Sequence, residues 1–433
     1  MQKIIIIGNG VAGATAAEVI RKKNKDVSIS VYSDEPYPFY SRIKLPHFLG
    51  DEIKQEDTYI YNADWYKEKG IEFYPGTKIK KIEPDKKYII TEKEEKAEYD
   101  KLLLATGSTN FVPPMKGTNP PLSPFNKGGI RGFFTLRTIR DVLSIKEYSL
   151  RNRNALMIGG GLLGLEAARG LKVRGLDVTV VEFFPRLLPR QLDEKGAKVL
   201  QRMIEKVGIK IVLNAQSDEV LGEDKVTGLK LKDGRNVDCN LIIISAGITP
   251  RIELAKEAGI SVNKGIIVNE RFETNAKGIY AAGDCAEFKE RIYGLWTAST
   301  EHGTIAGNNI AGVDTVYSGT TPSTTLKIVG IDLTSIGVVN PPSPTSPLAP
   351  LSLSLWERVG VRVGKGYREL IREDGSDDIY KKLVIKDGKI VGAILLGDTK
   401  DVRAVGKLIK NNVDVSKYED KLTDSKFDLK GII

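Results

Sequence analysis

Ile4-Ile5-Ile6-Ile7-Gly8-Asn9-Gly10-Val11-Ala12-Gly13 is the stretch whose reading decides the fold. Four consecutive isoleucines read as a short strand buried on both faces. Gly8, Gly10 and Gly13 follow with the spacing G-x-G-x-x-G, and Ala14, Thr15, Ala16 and Ala17 open a helix. The first glycine permits the tight turn, the second lets backbone approach a diphosphate, and the third lets helix pack on strand. Val11 and Ala12 complete the turn, whose free N–H groups sit at the positive end of the helix. One such match is a weak signal. It returns at 154–164, Asn-Ala-Leu-Met-Ile-Gly-Gly-Gly-Leu-Leu-Gly, with Gly159, Gly161 and Gly164 in register around Leu162 and Leu163. Two dinucleotide cradles in one chain predict two dinucleotides that react with each other.

The predicted fold class is therefore α/β. Two Rossmann-like units, each of three layers, bind nucleotides, and a smaller α+β unit follows. A length of 433 residues suits roughly two to four domains. The chain is 41% hydrophobic and 28% charged, ordinary values for a globular protein. No apolar run approaches the roughly 20 residues of a membrane span, and Gly-rich loop stands where a signal peptide would be cleaved. The expectation is a cytoplasmic protein with no membrane span. Only two cysteines, Cys239 and Cys285, and two histidines, His47 and His302, occur. A dithiol relay, zinc, haem or iron–sulfur site is therefore not expected, and no metal site is assigned. Net charge is +9. It reads as a mild Lys excess on exposed elements, or as a field that draws in anionic cofactors and an acidic partner. No like-charge run marks a nucleic-acid arm.

Along the chain, Ala12–Lys23 reads as helix and Val27–Tyr32 as the second strand. An acid about 20 residues beyond the glycines can accept both hydroxyls of an adenosine ribose; Glu35 is the candidate, with Asp34 in reserve. A helix Ala63–Lys69, a strand Ile71–Tyr74 and hairpin strands Thr77–Ile82 and Lys87–Thr91 follow. Tyr99–Leu104 is a buried strand. In the second unit a helix runs to about Tyr148, and Ala155–Ile158 and Val178–Val181 are strands. Glu182, at the end of the latter, can bind a 2′-hydroxyl and would repel a 2′-phosphate, so NADH is expected over NADPH. Arg186 and Arg190 nearby pull the other way. Asp193–Val207 reads as helix and Leu241–Ser245 as strand. Later come a helix at 297–311, strands Leu326–Val329 and Leu333–Val338, a hairpin Tyr380–Ile385 with Ile390–Leu396, and helices at 400–411 and 416–421. Two breaker-rich stretches, 117–132 and 340–364, share an Asn-Pro-Pro opening and a Gly-(Ile/Val)-Arg close. They read as related surface-loop insertions, and Trp356 is the residue that would argue for partner docking instead.

At Glu35-Pro36-Tyr37-Pro38-Phe39-Tyr40-Ser41-Arg42 the chain resembles the FAD-dependent pyridine nucleotide-disulfide oxidoreductase superfamily. It is most similar to the branch of NADH-dependent rubredoxin and ferredoxin reductases and the flavin part of assimilatory NADH-nitrite reductases. The resemblance implies that Arg42 lies along FAD, that the backbone of Ile79 touches the adenine, and that Ala105-Thr106-Gly107 brings backbone to the cofactor. It implies a Glu166 near nicotinamide and flavin, and Gly247, in Gly247-Ile248-Thr249-Pro250, beside the nicotinamide. Thr274–Asp284 resembles the second FAD fingerprint, in which Gly283 nears the flavin and Asp284 accepts hydrogen bonds from the ribityl chain. Trp296 matches a tryptophan beside the isoalloxazine, and the helix after it would point its N-terminus at the flavin. Where several ferredoxin reductases place a flavin-side Lys, this chain has His47. Where oxidases and peroxidases of the superfamily carry a redox Cys, it has none. The implied domains are FAD-binding (1–112 with 242–315), NAD-binding (113–241) and a C-terminal flavin-covering unit (316–433) that often builds a homodimer. The implied activity passes hydride from NADH to FAD and electrons to rubredoxin, ferredoxin or a nitrite-reductase partner. The alternatives are a peroxide-forming NADH oxidase and an NADH-responsive flavoprotein that acts as a binding or regulatory module.

Overall fold

The computed structural model describes residues 1–118, 130–328, 331–341, 366–374, 378–424 and 427–433. Both breaker-rich stretches fall mostly outside them, as do Trp356 and Val329. The isoleucine run forms the strand Gln2–Ile7, with Ile4 to Ile7 at most 7% exposed. It is buried on both faces because it is the centre of a five-stranded parallel sheet. The order is Ile279–Ala281, Lys101–Leu104, Gln2–Ile7, Val27–Tyr32, Ile71–Tyr74. The first strand of that order comes from late in the chain, so this sheet is assembled from two separated segments.

The glycine turn feeds the helix Val11–Lys23, whose buried face is Ala12, Gly13, Ala14, Ala16, Ala17 and Ile20. A face of small residues lets another helix come close. The helix Trp296–Ile310 does so: a Cβ at Gly303 would fall 3.0 Å from Ala12 Cα and closer still to the Ala12 carbonyl oxygen.

The second unit repeats the plan. Its parallel sheet has the order Lys210–Val212, Asp177–Val181, Asn154–Ile158, Leu241–Ile244, Phe133–Thr135. Each unit carries a three-stranded antiparallel excursion, from Ile79 to Glu98 in the first and from Ser217 to Asp238 in the second. The two connections between the units pair with one another, Ser108–Asn110 antiparallel to Ile248–Pro250. The third unit is a five-stranded antiparallel sheet, Ser323–Ile328, Ile331–Gly337, Lys389–Leu396, Ile379–Lys386, Tyr367–Asp374. The amphipathic helix Val402–Lys410 packs on it through Ala404, Val405 and Leu408.

Several short elements, among them Lys96–Glu98, Ser108–Asn110, Phe133–Thr135, Glu253–Glu257, Ile266–Val268 and Ala286–Phe288, were not read from the sequence, and three further differences have a clear physical reason. Tyr367–Asp374 is an edge strand, charged on both faces and largely exposed, so it shows none of the apolar alternation that marks a half-buried strand. Leu45–Leu49 is a short helix carrying Pro46 in its first turn, too short for a periodic signal. Ser416–Lys421 is a 3₁₀ rather than an α-helix.

One buried cluster joins all three units. Leu45, Phe48 and Leu49 of the first unit meet Ala167, Ala168 and Leu171 of the second, and Ile331, Leu333, Tyr380 and Ile394 of the third. Two glycine substitutions check the helix contact against the rest of the fold. Gly303→Ala should cost about 1–3 kcal/mol by forcing the two helices apart. Gly406→Ala, in a helix interior where a Cβ meets nothing within 4 Å, should stabilise by about 0.5–1 kcal/mol. Denaturant unfolding of both variants measures the contrast.

Candidate functional site

A cleft holding about 760 Å³ of free space, open mouth included, lies over the first glycine turn. Gly8, Asn9 and Gly10 are at its base, Ser33 to Glu35 on one wall, Ala105 to Ser108 on another, and Gly283, Asp284 and Ser299 opposite. Gly8 has φ +112°, and its N–H donates to Tyr32 O at 2.8 Å, which closes the turn. Gly10 caps the Val11–Lys23 helix with no side-chain cap bond, and a Cβ there would meet nothing within 4 Å. The cradle is therefore open where a diphosphate would lie. Asn9 adds a donor: its Oδ1 accepts from Tyr66 Oη at 2.9 Å, while its Nδ2 is buried without a partner.

The walls are charged and matched in pairs. Arg42 donates to Glu35 at 2.8 Å, Arg137 to Asp284 at 2.9 Å, and Arg251 to Asp34 at 2.7 Å. Glu35 also accepts from Tyr40 Oη at 2.6 Å, and Arg42 reaches the Arg137 carbonyl at 3.2 Å. Burial pulls the Arg137 guanidinium below its ordinary pKa, and the neighbouring Arg42 adds to that. A bound anion would relieve both penalties.

Of the residues singled out above, Gly8, Gly10, Val11, Ala12, Asp34, Glu35, Arg42, Ala105, Thr106, Gly107, Gly283 and Asp284 line this cleft. Gly13 lies beneath it, against Gly8. Ile79 is buried in the first core, and Trp296 starts its helix with its ring stacked at 5.9 Å from Phe39; neither is among the lining residues. His47 lies outside the lining too, its Nδ1 2.7 Å from Glu52. Sequence reading missed Arg137 and Arg251. Arg137 comes from the second unit, and Arg251 follows Pro250 in the pairing segment, so nothing local links either to the first turn. Asn9 stood inside the quoted motif, but only its orphaned amide reveals a use.

The second cradle repeats the first. Gly159 has φ +110°, Gly161 caps the Leu162–Val173 helix with open space at its Cβ position, and Gly164 packs on Gly159. Glu182 accepts from Gly160 N at 2.6 Å and Phe184 N at 2.9 Å, so it pins the second glycine loop. Burial raises its pKa and these N–H bonds oppose the rise. Gly247 has φ +124° in the segment leading from the second sheet back toward the first. Glu166 lies on the same helix as the cradle, and burial pushes its carboxyl up to about 7, with Arg169 opposing.

A fold with two glycine cradles, one opening into a charge-matched cleft, defines a two-nucleotide oxidoreductase. The chain belongs to the pyridine nucleotide-disulphide oxidoreductase family, whose model matches residues 2–303, and a rubredoxin NAD+ reductase C-terminal domain matches 359–413. It is 35% identical over 417 residues to a nitrite reductase [NAD(P)H] of Bacillus subtilis, covering 96% of this chain and 48% of that protein. It thus spans about half the length of that relative. It is 35% identical to an NADH oxidase of Methanocaldococcus jannaschii, covering 91% of this chain and 87% of the other. The crystal structure of NADH:rubredoxin oxidoreductase from Clostridium acetobutylicum superposes with a TM-score of 0.71 at 26% identity, covering 99% and 98% of the two chains. Family membership implies a flavin and a nicotinamide nucleotide in general terms, and the open cradles, orphaned Asn9 amide and arginine-lined cleft fit them. Among the described residues no helix is long and apolar enough to cross a membrane. Cys239 and Cys285 are buried in different cores, and burial pushes the Cys239 thiol up to about 12.

Glu166 yields a pH test. Its folded pKa, about 7, lies above the ordinary 4.5. The fold therefore disfavours the ionised form, and stability falls as pH rises from 4.5 to 7, then levels. The difference is up to about 3 kcal/mol. Glu166→Gln should flatten that slope, with thermal unfolding across pH as the measurement.

Proposed function

We propose that this chain is an FAD-dependent NADH:acceptor oxidoreductase that delivers electrons to an external carrier, a rubredoxin, a ferredoxin or a nitrite-reducing partner. The observation that carries the reading is the pair of open glycine cradles on two units joined by a shared buried cluster, in a chain whose only two cysteines are buried apart. We assign residues 1–112 with 242–315 to FAD, 113–241 to NADH and 316–433 to the C-terminal unit.

When bound, the flavin supplies the redox chemistry, taking hydride and releasing electrons one or two at a time. The protein's part is placement and charge. The N–H groups ahead of the Val11–Lys23 helix and the Asn9 amide bind the diphosphate, and Arg42 balances its charge from the wall. Glu35 and Asp34 are the ribose acceptors, though each already accepts from an arginine. Asp284, fixed by Ser108 at 2.7 Å and Arg137 at 2.9 Å, presents its remaining lone pairs to the ribityl hydroxyls. The Trp296–Ile310 helix would turn its positive end toward a bound flavin, where it would stabilise negative charge. The Leu162–Val173 helix holds the NADH diphosphate, and Glu166, half-protonated near neutral pH, lies one turn into that helix. Reacting atoms held about 3–3.5 Å apart turn an encounter into an internal step, so no side-chain acid or base is required.

A second reading, a peroxide-forming NADH oxidase, is favoured by the likeness to the Methanocaldococcus jannaschii NADH oxidase. Stopped-flow reduction by NADH, followed by mixing with rubredoxin, ferredoxin or O2, separates the two. Fast reoxidation by an iron–sulfur or rubredoxin carrier supports the first, and turnover with O2 alone supports the second. Glu182→Ala should shrink the NADH-over-NADPH preference in kcat/KM by about tenfold, which corresponds to roughly 1.4 kcal/mol. An unchanged ratio would remove Glu182 from the argument.

A further inference from the structure

The turn that follows the first cleft runs directly onto the helix that begins at the second cradle. Arg42 is in the cleft wall, and the helix Leu45–Leu49 starts three residues later. It packs against Leu162–Val173, whose first turn is the second cradle. At the contact, backbone lies on backbone. A Cβ at Gly170 would fall 2.6 Å from Pro46 O and 3.3 Å from Gly50 N, and a Cβ at Gly50 would fall 3.1 Å from Gly170 Cα. Gly50 has φ −78° and Gly170 is helical, so neither position needs glycine for its backbone conformation. Proximity alone requires it. A glycine inside a helix is ordinarily a penalty, and here it allows backbone of the two nucleotide units to meet directly.

Charges lock this contact on both sides. Glu52 is gripped by both Arg169 guanidinium nitrogens, one at 2.7 Å, with His47 Nδ1 also at 2.7 Å. Asp51 pairs with Arg174 and Lys146, and Arg174 also reaches Ser149 Oγ at 3.3 Å. Burial raises the Glu52 carboxyl, but the bonds and charge of Arg169 and His47 outweigh it and hold it below the usual range. Glu52 and Asp51 keep 26% and 53% of their side chains exposed, so these pairs add little adhesion. Leu45, Phe48 and Leu49 provide the adhesion. The ion pairs fix slide and rotation, and the two glycines fix distance.

We propose that this seam is the spacer that sets the NADH cradle at its working distance from the flavin cleft, with Gly50, Gly170, Glu52 and Arg169 as positioning residues for hydride transfer. The inference rests on the electron-transfer reading above. It ties the rate of the chemical step to a contact that touches neither nucleotide.

The test uses the full-length, FAD-loaded protein. Gly170→Ala, and separately the double variant E52Q with D51N, are compared with wild type in four measurements. These are FAD content by absorbance, NAD+ affinity by calorimetry, long-wavelength charge-transfer absorbance on adding NADH, and the limiting rate of flavin bleaching in stopped flow. The expected result for Gly170→Ala is FAD content and NAD+ Kd within about twofold of wild type, a weakened charge-transfer band, and a limiting rate lowered about 10–100-fold, as a misplacement of roughly 1 Å produces. The double variant should show the same split at smaller amplitude, and it decides the matter if Gly170→Ala does not fold. A limiting rate and band unchanged in the folded variants, beside a wild type that NADH reduces, overturn the spacer alone. A wild type that NADH does not reduce overturns the electron-transfer reading and the spacer with it.

Discussion

Backbone pressed on backbone is the constraint on which the rest of this structure depends. A side chain at Gly8 would strike the Ala105 carbonyl, one at Gly13 the Gly8 carbonyl, and the second unit repeats both clashes at Gly159 against Ser245 and Gly164 against Gly159. These approaches place a helix end directly over the edge of a parallel sheet. The unsatisfied N–H groups of that helix end then face a cleft rather than a side chain. The same device appears where larger bodies meet, between the two long helices at Gly303 and between the two nucleotide units at Gly50 and Gly170. Each contact gives up helix propensity or side-chain packing and gains a fixed distance.

Charge is handled by pairing rather than by excess. Despite a net charge of +9, the three arginines of the cleft are each bound to a carboxylate of the cleft, Arg42 to Glu35, Arg137 to Asp284 and Arg251 to Asp34. A buried guanidinium without a partner would be expensive, and an arginine already paired is held in orientation before any ligand arrives. Arg137 does more, because it reaches from the second unit to an aspartate of the first.

The parallel sheets, both cradles and most strand and helix limits were legible in the sequence, because isoleucine runs, glycine spacing and small-residue helix faces are local signals. Val27–Tyr32 was legible to the residue. What was hidden depended on distance along the chain. Arg137 and Arg251 enter the cleft from other segments, and Leu45–Leu49 gains its helix from packing rather than propensity. Tyr367–Asp374 is a strand because a neighbour offers it a hydrogen-bonding edge, and its own residues, three of them acidic and two arginine, carry no continuous apolar face. Glu35 was legible as a cleft residue, but its bonds to Arg42 and Tyr40 were not, since they join atoms that the sequence places on a loop of undetermined path.

The third unit follows the same logic and shows why the second is the hub. Lys382, 3% exposed at its side chain, sits between Asp193 at 3.0 Å and Glu369 at 2.8 Å, and Tyr380 donates to Asp193 at 2.6 Å. Asp193 is also the N-cap of the Glu194–Lys206 helix, accepting from Gly196 N at 2.9 Å. A buried ammonium between two carboxylates is a poor source of net stability, since desolvation offsets most of the attraction, but it tolerates only one register. Gly196 again supplies the space, because a Cβ there would fall 3.1 Å from the Tyr380 ring. The C-terminal sheet is thus keyed to the second unit, and the second unit is keyed to the first through Gly50 and Gly170. On the function proposed above, a displacement at either seam would shift the second cradle against the first, and with it the separation of the two nucleotides.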